Sequence, residues 1–225
     1  MSSFRVKTVM FDLDGTLINS APEIAFAANQ TLAALNLSTL SESQITDYIG
    51  EGAHVLIQRC LTASLQQTPE EDVLERAIAL FFTCYEKIVG DSLPFDGVVA
   101  GLQALWRRDF KLACVTNKSE RFSMPLLEQS GLLGFFDCVV SGDSLPQKKP
   151  HPLPLQHVCN KFEVPTYEAM LVGDSNTDVE AAHAAGSFII TVPYGYNQGQ
   201  HIDEARVDAA ITDLTELSNL IELLK

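Results

Sequence analysis

The chain has 225 residues, of which 46% are apolar, and a formal net charge of −14 at pH 7. This length and apolar content allow one large domain, or a domain with a smaller insert, around a sizeable core. A uniformly acidic protein repels nucleic acids and anionic membranes, so we expect neither as a partner. The same charge repels phosphate esters, so a phosphorylated substrate would require a metal ion and a few well-placed lysines.

Segments that direct a protein to a membrane or out of the cell are not found. No apolar run approaches the roughly 20 residues that span a bilayer, and residues 1–7 lack the apolar core of a signal peptide. Five scattered cysteines form no C-x-x-C pair, and each has apolar neighbours, which is typical of buried reduced thiols. We therefore predict a cytoplasmic protein without membrane contact, either a monomer or a homodimer.

The first predicted element is a strand at residues 5–12, whose β-branched and apolar residues indicate that both of its faces are covered. Further strands of this kind are predicted at 111–117, 136–143, 169–174 and 188–194. Helices are predicted between them at 97–109, 119–131, 151–162 and 177–186, and a closing helix at 214–224. The alternation of strands and helices predicts an α/β fold with a Rossmann-like parallel sheet and right-handed crossovers.

Residues 17–93 break this rhythm, because every pattern within them is helical. Ser41 and Gln44 form a capping-box pattern at one helix start, and Thr68 is expected to cap a long helix that ends at Gly90. A helical segment inserted directly after the first strand would stand over whatever that strand presents. We therefore predict two parts, an α/β core of residues 1–16 and 94–225 and an all-helical cap domain of residues 17–93.

Polar side chains follow four of the predicted strands. In open parallel sheets, ligands bind beyond the carboxyl ends of the strands, so these side chains are expected to meet. The residues at the four ends are Asp12 and Asp14, then Thr116 and Asn117, then Lys148 and Lys149, and finally Asp174 and Asp178. Carboxylates, a hydroxyl and ammonium groups at one edge of a sheet are the combination that phosphoryl transfer requires.

The carboxylates can be given distinct tasks. Asp12, Asp14 and Asp174 form an oxygen-rich cluster that suits Mg²⁺, which binds through a few carboxylates and a phosphate oxygen. One carboxylate can attack phosphorus and form an aspartyl-phosphate, while a second moves the proton. Thr116 and a lysine can hold the remaining phosphoryl oxygens, whose charge must be stabilised in the transition state.

Two ambiguities are weighed from the residues themselves. Lys149 is favoured over Lys148 as the phosphate-binding lysine, because Pro150 holds it in an extended backbone, and Lys148 is expected to lie in solvent. Residues 12–23 also fit a calcium loop loosely, but Leu17 stands where the sharp turn of such a loop needs glycine. A phosphoryl-transfer site is therefore the preferred interpretation.

The segments DLDGT, VTN, KKPHP and GDSNTD, in this order, resemble the four motifs of the haloacid dehalogenase superfamily of phosphatases. The resemblance covers nearly the whole chain and implies a core of that fold with a C1-type cap. It implies Asp12 as the nucleophile, Asp14 as an acid/base that binds metal through its backbone carbonyl, and Asp174 as a metal ligand. The other implied roles are phosphate stabilisation by Thr116 and Lys149 and orientation of the metal site by Asp178.

Within that superfamily, the segments DLDGTLINSAP, IGEGAHVLI, VTNK, KKPHPLPL and YGYNQGQHID resemble the bacterial phosphoglycolate phosphatases. This resemblance implies Mg²⁺-dependent hydrolysis of a small phosphorylated metabolite, 2-phosphoglycolate. Another small substrate, such as pyrophosphate or a sugar phosphate, and transfer by a mutase of the phosphoglucomutase kind remain alternatives. The alternative from another class is a non-catalytic metal- or phosphate-binding regulator, although binding alone would need no acid/base.

Contacts to the substrate are expected from both parts of the chain. The predicted substrate-binding residues are Thr116, Asn117, Lys149, Gly50, Glu51 and Gly52. Backbone N–H groups at 50–53, at a helix start, could bind the substrate's carboxylate, and His54 lies close enough in sequence to reach it. The glycine-spaced loop at 194–200 could contact the cap or a partner chain, or serve only as a turn-rich connection.

Overall fold

The computed structural model describes residues 4–224. Its strands, in chain order, are β1 (Phe4–Val6), β2 (Thr8–Phe11), β3 (Ile18–Asn19), β4 (Leu93–Pro94), β5 (Lys111–Val115), β6 (Cys138–Val140), β7 (Ala169–Gly173), β8 (Phe188–Thr191), β9 (Ala209–Ala210) and β10 (Ile221–Leu223). Its α-helices are α1 (Ala21–Ala34), α2 (Glu42–Thr46), α3 (Ala53–Leu65), α4 (Glu71–Tyr85), α5 (Val98–Trp106), α6 (Glu120–Gln129), α7 (Leu153–Lys161), α8 (Asn176–Ala185) and α9 (Leu217–Leu220). The predicted α/β fold is confirmed.

Six strands form the central sheet in the order β6-β5-β2-β7-β8-β9, and all of their pairings are parallel. Every residue of β2 and β7 is buried, as expected for strands that helices cover on both faces. Phe11, at the end of β2, lies opposite Cys114 of β5 and Val172 of β7. The residues that follow these three strands therefore emerge at one edge of the sheet, where ligands bind in such folds.

The prediction of a helix at 214–224 is wrong in its second half. The chain leaves the helix after α9 and continues as β10, which pairs in parallel with β1. Arg108 donates hydrogen bonds to the carbonyl oxygens of Ser218, at 2.7 Å, and Ile221, at 2.9 Å, so these groups are satisfied without a further helical turn. The strand predicted at 5–12 accordingly divides in two, since its first part pairs with β10 and its second part with the central sheet.

Four helices, α1 to α4, lie between β3 and β4 and form a helical insert (residues 21–85). The chain leaves and rejoins the sheet region through β3 and β4, which pair antiparallel over two residues. The predicted capping box is confirmed at the start of α2: the N–H of Gln44 donates to Ser41 Oγ, and the Gln44 side chain accepts from the N–H of Ser41. The helices of this segment follow its local sequence signals, whereas the prediction that residues 17–93 are helical throughout is wrong at Ile18–Asn19 and Leu93, which lie in β3 and β4.

The last helix of the insert differs from the prediction at both ends. α4 begins after Glu70, which keeps an extended backbone, so Thr68 does not cap it. The helix ends at Tyr85 rather than Gly90, because the N–H groups of Lys87 and Ile88 bond to carbonyls three residues back, at 3.3 Å and 3.0 Å. Tyr85 is therefore the final helical residue, and its side chain is buried against the core.

All five cysteines are free thiols, and four of them are buried, as their apolar neighbours predict. Burial raises the pKa of Cys60 to about 12, so this thiol stays protonated and unreactive at neutral pH. Across residues 4–224, the helices are all too short or too polar to cross a membrane.

The packing of α5 on the C-terminal segment gives a testable prediction. A β-carbon at Gly101 would lie 2.7 Å from Leu214 Cβ and 2.8 Å from two backbone atoms of Leu214, closer than real contacts allow. We expect Gly101→Ala to lower the free energy of unfolding in urea by about 1–3 kcal/mol, despite the better helix propensity of alanine. Gly134→Ala is the control, because its β-carbon would meet no atom within 4 Å. Equal stability of the two variants would contradict the packing argument.

Candidate active site

Three strand ends bring the first residues of the site together. Asp12, Thr116 and Asp174 directly follow β2, β5 and β7. The sheet fixes two of them, because the N–H of Asp12 donates to Val172 O and the N–H of Thr116 donates to Val140 O, both at 2.9 Å. All three side chains are buried. Their proximity therefore follows from the register of parallel strands, as the sequence predicts.

A buried lysine neutralises part of this charge. Lys149 enters from the loop after β6 and is 2% exposed. Its ammonium lies 2.9 Å from Asp12 Oδ1 and 2.6 Å from Asp178 Oδ1. Burial alone would lower the pKa of Lys149, but Asp12 and Asp178 together hold it above its usual value. Lys149 therefore stays charged, and it is Lys149 rather than Lys148 that contacts these carboxylates.

Asp178 anchors the cluster from the first turn of α8. Its side chain is fully buried, and its Oδ2 accepts hydrogen bonds from the N–H of Ser175, at 3.2 Å, and from Ser175 Oγ, at 2.6 Å. The N–H of Asp178 in turn donates to Ser175 Oγ at 3.4 Å, and this bond and the one from the N–H of Ser175 form a capping box at the start of the helix. The other oxygen, Oδ1, accepts from Lys149. Capping of the helix and orientation of the charged cluster are therefore compatible roles of one side chain.

Asp174 is held by donors on both of its carboxylate oxygens. Thr16 Oγ1 donates to Oδ1 at 2.9 Å, and the N–H of Tyr196 donates to Oδ2 at 2.7 Å. Gly15 makes room for this carboxylate, since its φ is +87° and a β-carbon there would lie 2.4 Å from Asp174 Oδ2. The glycine of the DLDGT segment is therefore required both by its backbone conformation and by the close approach of Asp174.

The carboxylates fit a divalent metal ion. Oxygens of Asp12, Asp174 and Asp178 lie within 4.8 Å of one another. Burial raises the pKa of Asp12 to about 8, where Lys149 opposes the rise and Asp178 and Asp174 add to it. Burial, followed by Asp178, raises the pKa of Asp174 to about 7. One buried ammonium does not balance three buried carboxylates, so the cluster favours the binding of a cation with a preference for oxygen ligands.

The carboxylate of Asp14 lies outside that set of three and is held by two donors that sequence analysis did not identify. Ser20 Oγ donates to Oδ1 at 2.5 Å, and Lys118 Nζ lies 2.9 Å from Oδ1 and 3.1 Å from Oδ2. The sequence signal that could have identified Lys118 is its position directly after the VTN segment. A role of the Asp14 backbone carbonyl as a metal ligand stays a prediction.

Asn117 joins the core to the helical insert. Its Nδ2 donates to Gly50 O and to Lys149 O, both at 2.9 Å. A β-carbon at Gly52 would lie 3.1 Å from Asn117 O, so the insert approaches the strand end closely. Gly50 contributes its carbonyl oxygen to this contact, and anion binding by the N–H groups at 50–53 stays a prediction.

Glu51 turns away from the strand ends. Its carboxylate pairs with Arg59, and its backbone oxygen accepts a hydrogen bond from Lys148 Nζ at 2.5 Å. Lys148, which was expected in solvent, therefore binds the helical insert. His54 is exposed on α3 and does not line the pocket over the site. A role of Glu51 in substrate binding stays a prediction.

The loop at 194–200 contacts the core and the helical insert, which favours the first of its three proposed roles. Besides the bond from its N–H to Asp174, Tyr196 uses its hydroxyl to accept from the N–H of Ala21 at 3.0 Å. Gln198 Nε2 donates to Glu51 Oε1 at 3.3 Å. One short loop thus connects the charged cluster with both the beginning and the interior of the insert.

A pocket lies between the strand ends and the helical insert. Its lining combines the acidic and polar ends of the strands with apolar side chains of the insert and of α6. The residues are Asp12, Asp14, Ile24, Ile49, Gly50, Gly52, Ala53, Leu56, Phe81, Tyr85, Thr116, Asn117, Lys118, Ser119 and Phe122. Lys118 is the one cationic side chain among these lining residues of the described chain.

The chain matches the family model described as haloacid dehalogenase-like hydrolase over residues 9–192. The chain belongs to this family. The match begins in β2 and ends just after β8, so it includes every strand end that contributes to the charged cluster. The resemblance drawn from four short segments is therefore confirmed.

Two relatives within the family match over nearly their full length. The phosphoglycolate phosphatase of Nitrosospira multiformis is 48% identical over 218 residues, and that of Thiobacillus denitrificans is 43% identical over 217 residues, with 96% of each chain covered in both cases. A crystal structure of a predicted phosphoglycolate phosphatase from Haemophilus somnus superposes with a TM-score of 0.91 at 34% identity, covering 95% of this chain and 97% of that chain. CbbY from Rhodobacter sphaeroides in complex with phosphate shares the fold, with a TM-score of 0.80 at 21% identity and 94% and 96% coverage.

The raised pKa of Asp12 predicts how stability depends on pH when divalent ions are removed with EDTA. The cost of ionising Asp12 is absent below about pH 3.8, grows as the pH rises and is complete above about pH 8. We expect the free energy of unfolding of Asp12→Asn to be higher than that of the unchanged protein. The difference should grow by about 1 kcal/mol or more over this pH range. Urea denaturation at several pH values measures it, with the exposed Asp72→Asn as the control. A difference that is constant with pH would contradict the prediction.

Proposed function

We propose that this haloacid dehalogenase-like hydrolase is a Mg²⁺-dependent phosphatase that hydrolyses 2-phosphoglycolate to glycolate and phosphate. The observation that carries the proposal is the position of Asp12, which ends the central strand beside Lys149 and within the cluster of three carboxylates. Such a carboxylate can serve as nucleophile once a cation offsets its neighbours. The substrate is supported by the name of the relative that is 48% identical, phosphoglycolate phosphatase.

Two carboxylates divide the chemistry. Asp12 attacks the phosphorus atom, and the bond from phosphorus to the glycolate oxygen breaks, while Asp14 gives a proton to that oxygen. A water molecule then attacks phosphorus, Asp14 takes a proton from it, and the bond between Asp12 and phosphorus breaks. Phosphate leaves, and both carboxylates are restored to their starting states. The two carboxylates have separate partners, since Lys149 pairs with Asp12 and Lys118 pairs with Asp14.

The phosphoryl oxygens require donors. Thr116 Oγ1 accepts a hydrogen bond from the N–H of Lys118 at 3.1 Å, which leaves the hydroxyl hydrogen free to donate to the substrate. Lys149 offers a charged donor beside Asp12. Mg²⁺ held by Asp12, Asp174 and the backbone carbonyl of Asp14 would supply the positive charge that keeps Asp12 ionised and balances the phosphoryl group. Asp178 would hold Lys149 in place behind these ligands.

We also propose that the helical insert acts as a cap over this chemistry, with the core formed by 1–16 and 94–225 and the cap by 17–93. Hydrogen bonds from Asn117 to Gly50 O and from Lys148 to Glu51 O support contact between the two parts. A closed cap excludes bulk water from the phosphoryl group. The acidic charge and the free thiols support a cytoplasmic enzyme, monomeric or homodimeric, without nucleic-acid or membrane partners.

Initial rates on a panel of phosphate compounds test the substrate. We expect the highest kcat/KM for 2-phosphoglycolate with Mg²⁺, and lower values for pyrophosphate and glucose 6-phosphate. One phosphate should be released for each ester consumed, which excludes a mutase. Asp12→Asn is expected to lower kcat by about a thousandfold or more, because the nucleophile is lost, whereas Asp72→Asn should retain activity. Full activity in Asp12→Asn would overturn the nucleophile, and a better substrate on the panel would overturn the choice of ester.

Thermal unfolding tests the metal site without reading activity. Mg²⁺ binds the folded cluster and not the unfolded chain, so it should raise the melting temperature, by the equivalent of about 2.7 kcal/mol at a concentration 100 times its dissociation constant. Asp174→Asn removes one ligand and should abolish this rise, while Asp72→Asn, with the same change in charge, should retain it. An equal rise in both variants would show that Mg²⁺ acts elsewhere.

A further inference from the structure

The pocket contains buried polar atoms that the protein itself does not satisfy. Four buried side-chain polar atoms of residues 4–224 have no hydrogen-bond partner, and three of them belong to residues that line the pocket. Two are the hydroxyl groups of Tyr85 and Ser119, and the third is Asn117 Oδ1, which can only accept. A buried polar group left without a partner costs about 1–3 kcal/mol. Their concentration at one pocket indicates a ligand that supplies the missing partners.

Tyr85 is the most constrained of these residues. It is 1% exposed at the end of α4, and its ring stacks on Phe81, with ring centres 5.4 Å apart, and packs on Phe122 at 5.0 Å. Burial raises the pKa of Tyr85 to about 12, so the hydroxyl keeps its proton at neutral pH and can donate. A rigid ring therefore presents an unused donor beside the pocket.

Lys118 adds a positive charge next to that donor. Its side chain is 6% exposed, and its ammonium lies 4.8 Å from the centre of the Tyr85 ring, outside hydrogen-bond geometry with the hydroxyl. Both of its short contacts are to the single carboxylate of Asp14. An ammonium has three N–H donors, so Lys118 can bind a second anion without leaving Asp14.

The remaining wall strengthens any ion pair formed there. Ile24, Leu56, Phe81 and Phe122 line the pocket with hydrocarbon, and such surroundings lower the effective dielectric constant. Acidic side chains in the lining are confined to Asp12 and Asp14 within the described chain. The side of the pocket formed by Tyr85 therefore suits an anionic group with oxygen acceptors.

We propose that Tyr85 and Lys118 bind the carboxylate of the substrate and select small phosphate esters that carry one. The inference rests on the proposed function and names the groups that distinguish this ester from others. Lys118 follows Thr116 by two residues and bonds to its hydroxyl, so one turn after β5 presents donors to both ends of the substrate. One ester oxygen and one methylene separate phosphorus from the carboxylate in 2-phosphoglycolate, and a short ester needs an anion site this near.

The two donors come from different parts of the chain. Lys118 belongs to the core, whereas Tyr85 belongs to the helical insert. The carboxylate would therefore contact both parts at once, and full affinity would require the insert to lie against the core as it does here. Esters without a carboxylate would gain no contact from Tyr85.

The kinetic test compares 2-phosphoglycolate with ethyl phosphate, in which a methyl group replaces the carboxylate. Tyr85→Phe removes one hydroxyl, and the loss of its bond to a charged group should raise KM for 2-phosphoglycolate about tenfold or more. The loss of kcat/KM should be at least about tenfold larger for 2-phosphoglycolate than for ethyl phosphate. Tyr167→Phe, at an exposed tyrosine, is the matched control and should change neither. Equal losses on both esters would overturn the inference.

A stability measurement separates this role from a structural one. Because the Tyr85 hydroxyl has no partner in the free protein, Tyr85→Phe should leave the urea midpoint unchanged or raise it. A lowered midpoint would show that the hydroxyl supports the fold, and would count against its assignment to the substrate.

Binding to Asp12→Asn, measured by calorimetry with Mg²⁺ present, distinguishes failure of this inference from failure of the proposed function. When Tyr85→Phe or Lys118→Met is added to Asp12→Asn, the dissociation constant of 2-phosphoglycolate should rise about tenfold or more relative to that of ethyl phosphate. If the unchanged protein does not hydrolyse 2-phosphoglycolate but this selectivity is seen, the function fails and the carboxylate site stands. If hydrolysis is efficient but both double variants bind the two esters with unchanged selectivity, the carboxylate site fails alone.

Discussion

The site depends on the burial of the Lys149 ammonium between Asp12 and Asp178. A charged pair with so little access to water gains little net stability, because the loss of hydration offsets most of the attraction. What the arrangement provides is position: Asp178 is fixed by the capping box of α8, Lys149 is fixed by Asp178, and Asp12 is fixed by the sheet and by Lys149. The start of one helix thus determines where the ammonium stands relative to the end of the central strand.

The charges of the same cluster explain why the site favours the binding of a cation. Asp12 and Asp174 have raised pKa values because they are buried close to like charge, and the protein supplies one ammonium where more positive charge is needed. A protein selected for stability alone would fill this space with apolar side chains. The retained electrostatic cost is typical of sites where charge must develop and be balanced during a reaction.

The core was predictable because short-range signals and the sheet edge agree. Apolar strands alternate with helices, so the residues after each strand had to meet, and Asp12, Thr116 and Asp174 do. What could not be predicted depends on contacts between distant segments. The C-terminal strand exists because Arg108 takes up carbonyl groups that a helix would otherwise use. Lys148 binds the helical insert instead of lying in solvent because the backbone oxygen of Glu51, 97 residues earlier in the chain, accepts its hydrogen bond.

The loop at 194–200 links the position of the helical insert to the carboxylate cluster. The N–H of Tyr196 donates to Asp174, and the hydroxyl of Tyr196 accepts from the N–H of Ala21, the first residue of α1. The side chain of Gln198 donates to Glu51. Gly195 has no freedom to change, because a β-carbon there would lie 2.1 Å from Asp174 Cβ. A change in the position of the insert would therefore be transmitted to the Asp174 carboxylate through this loop.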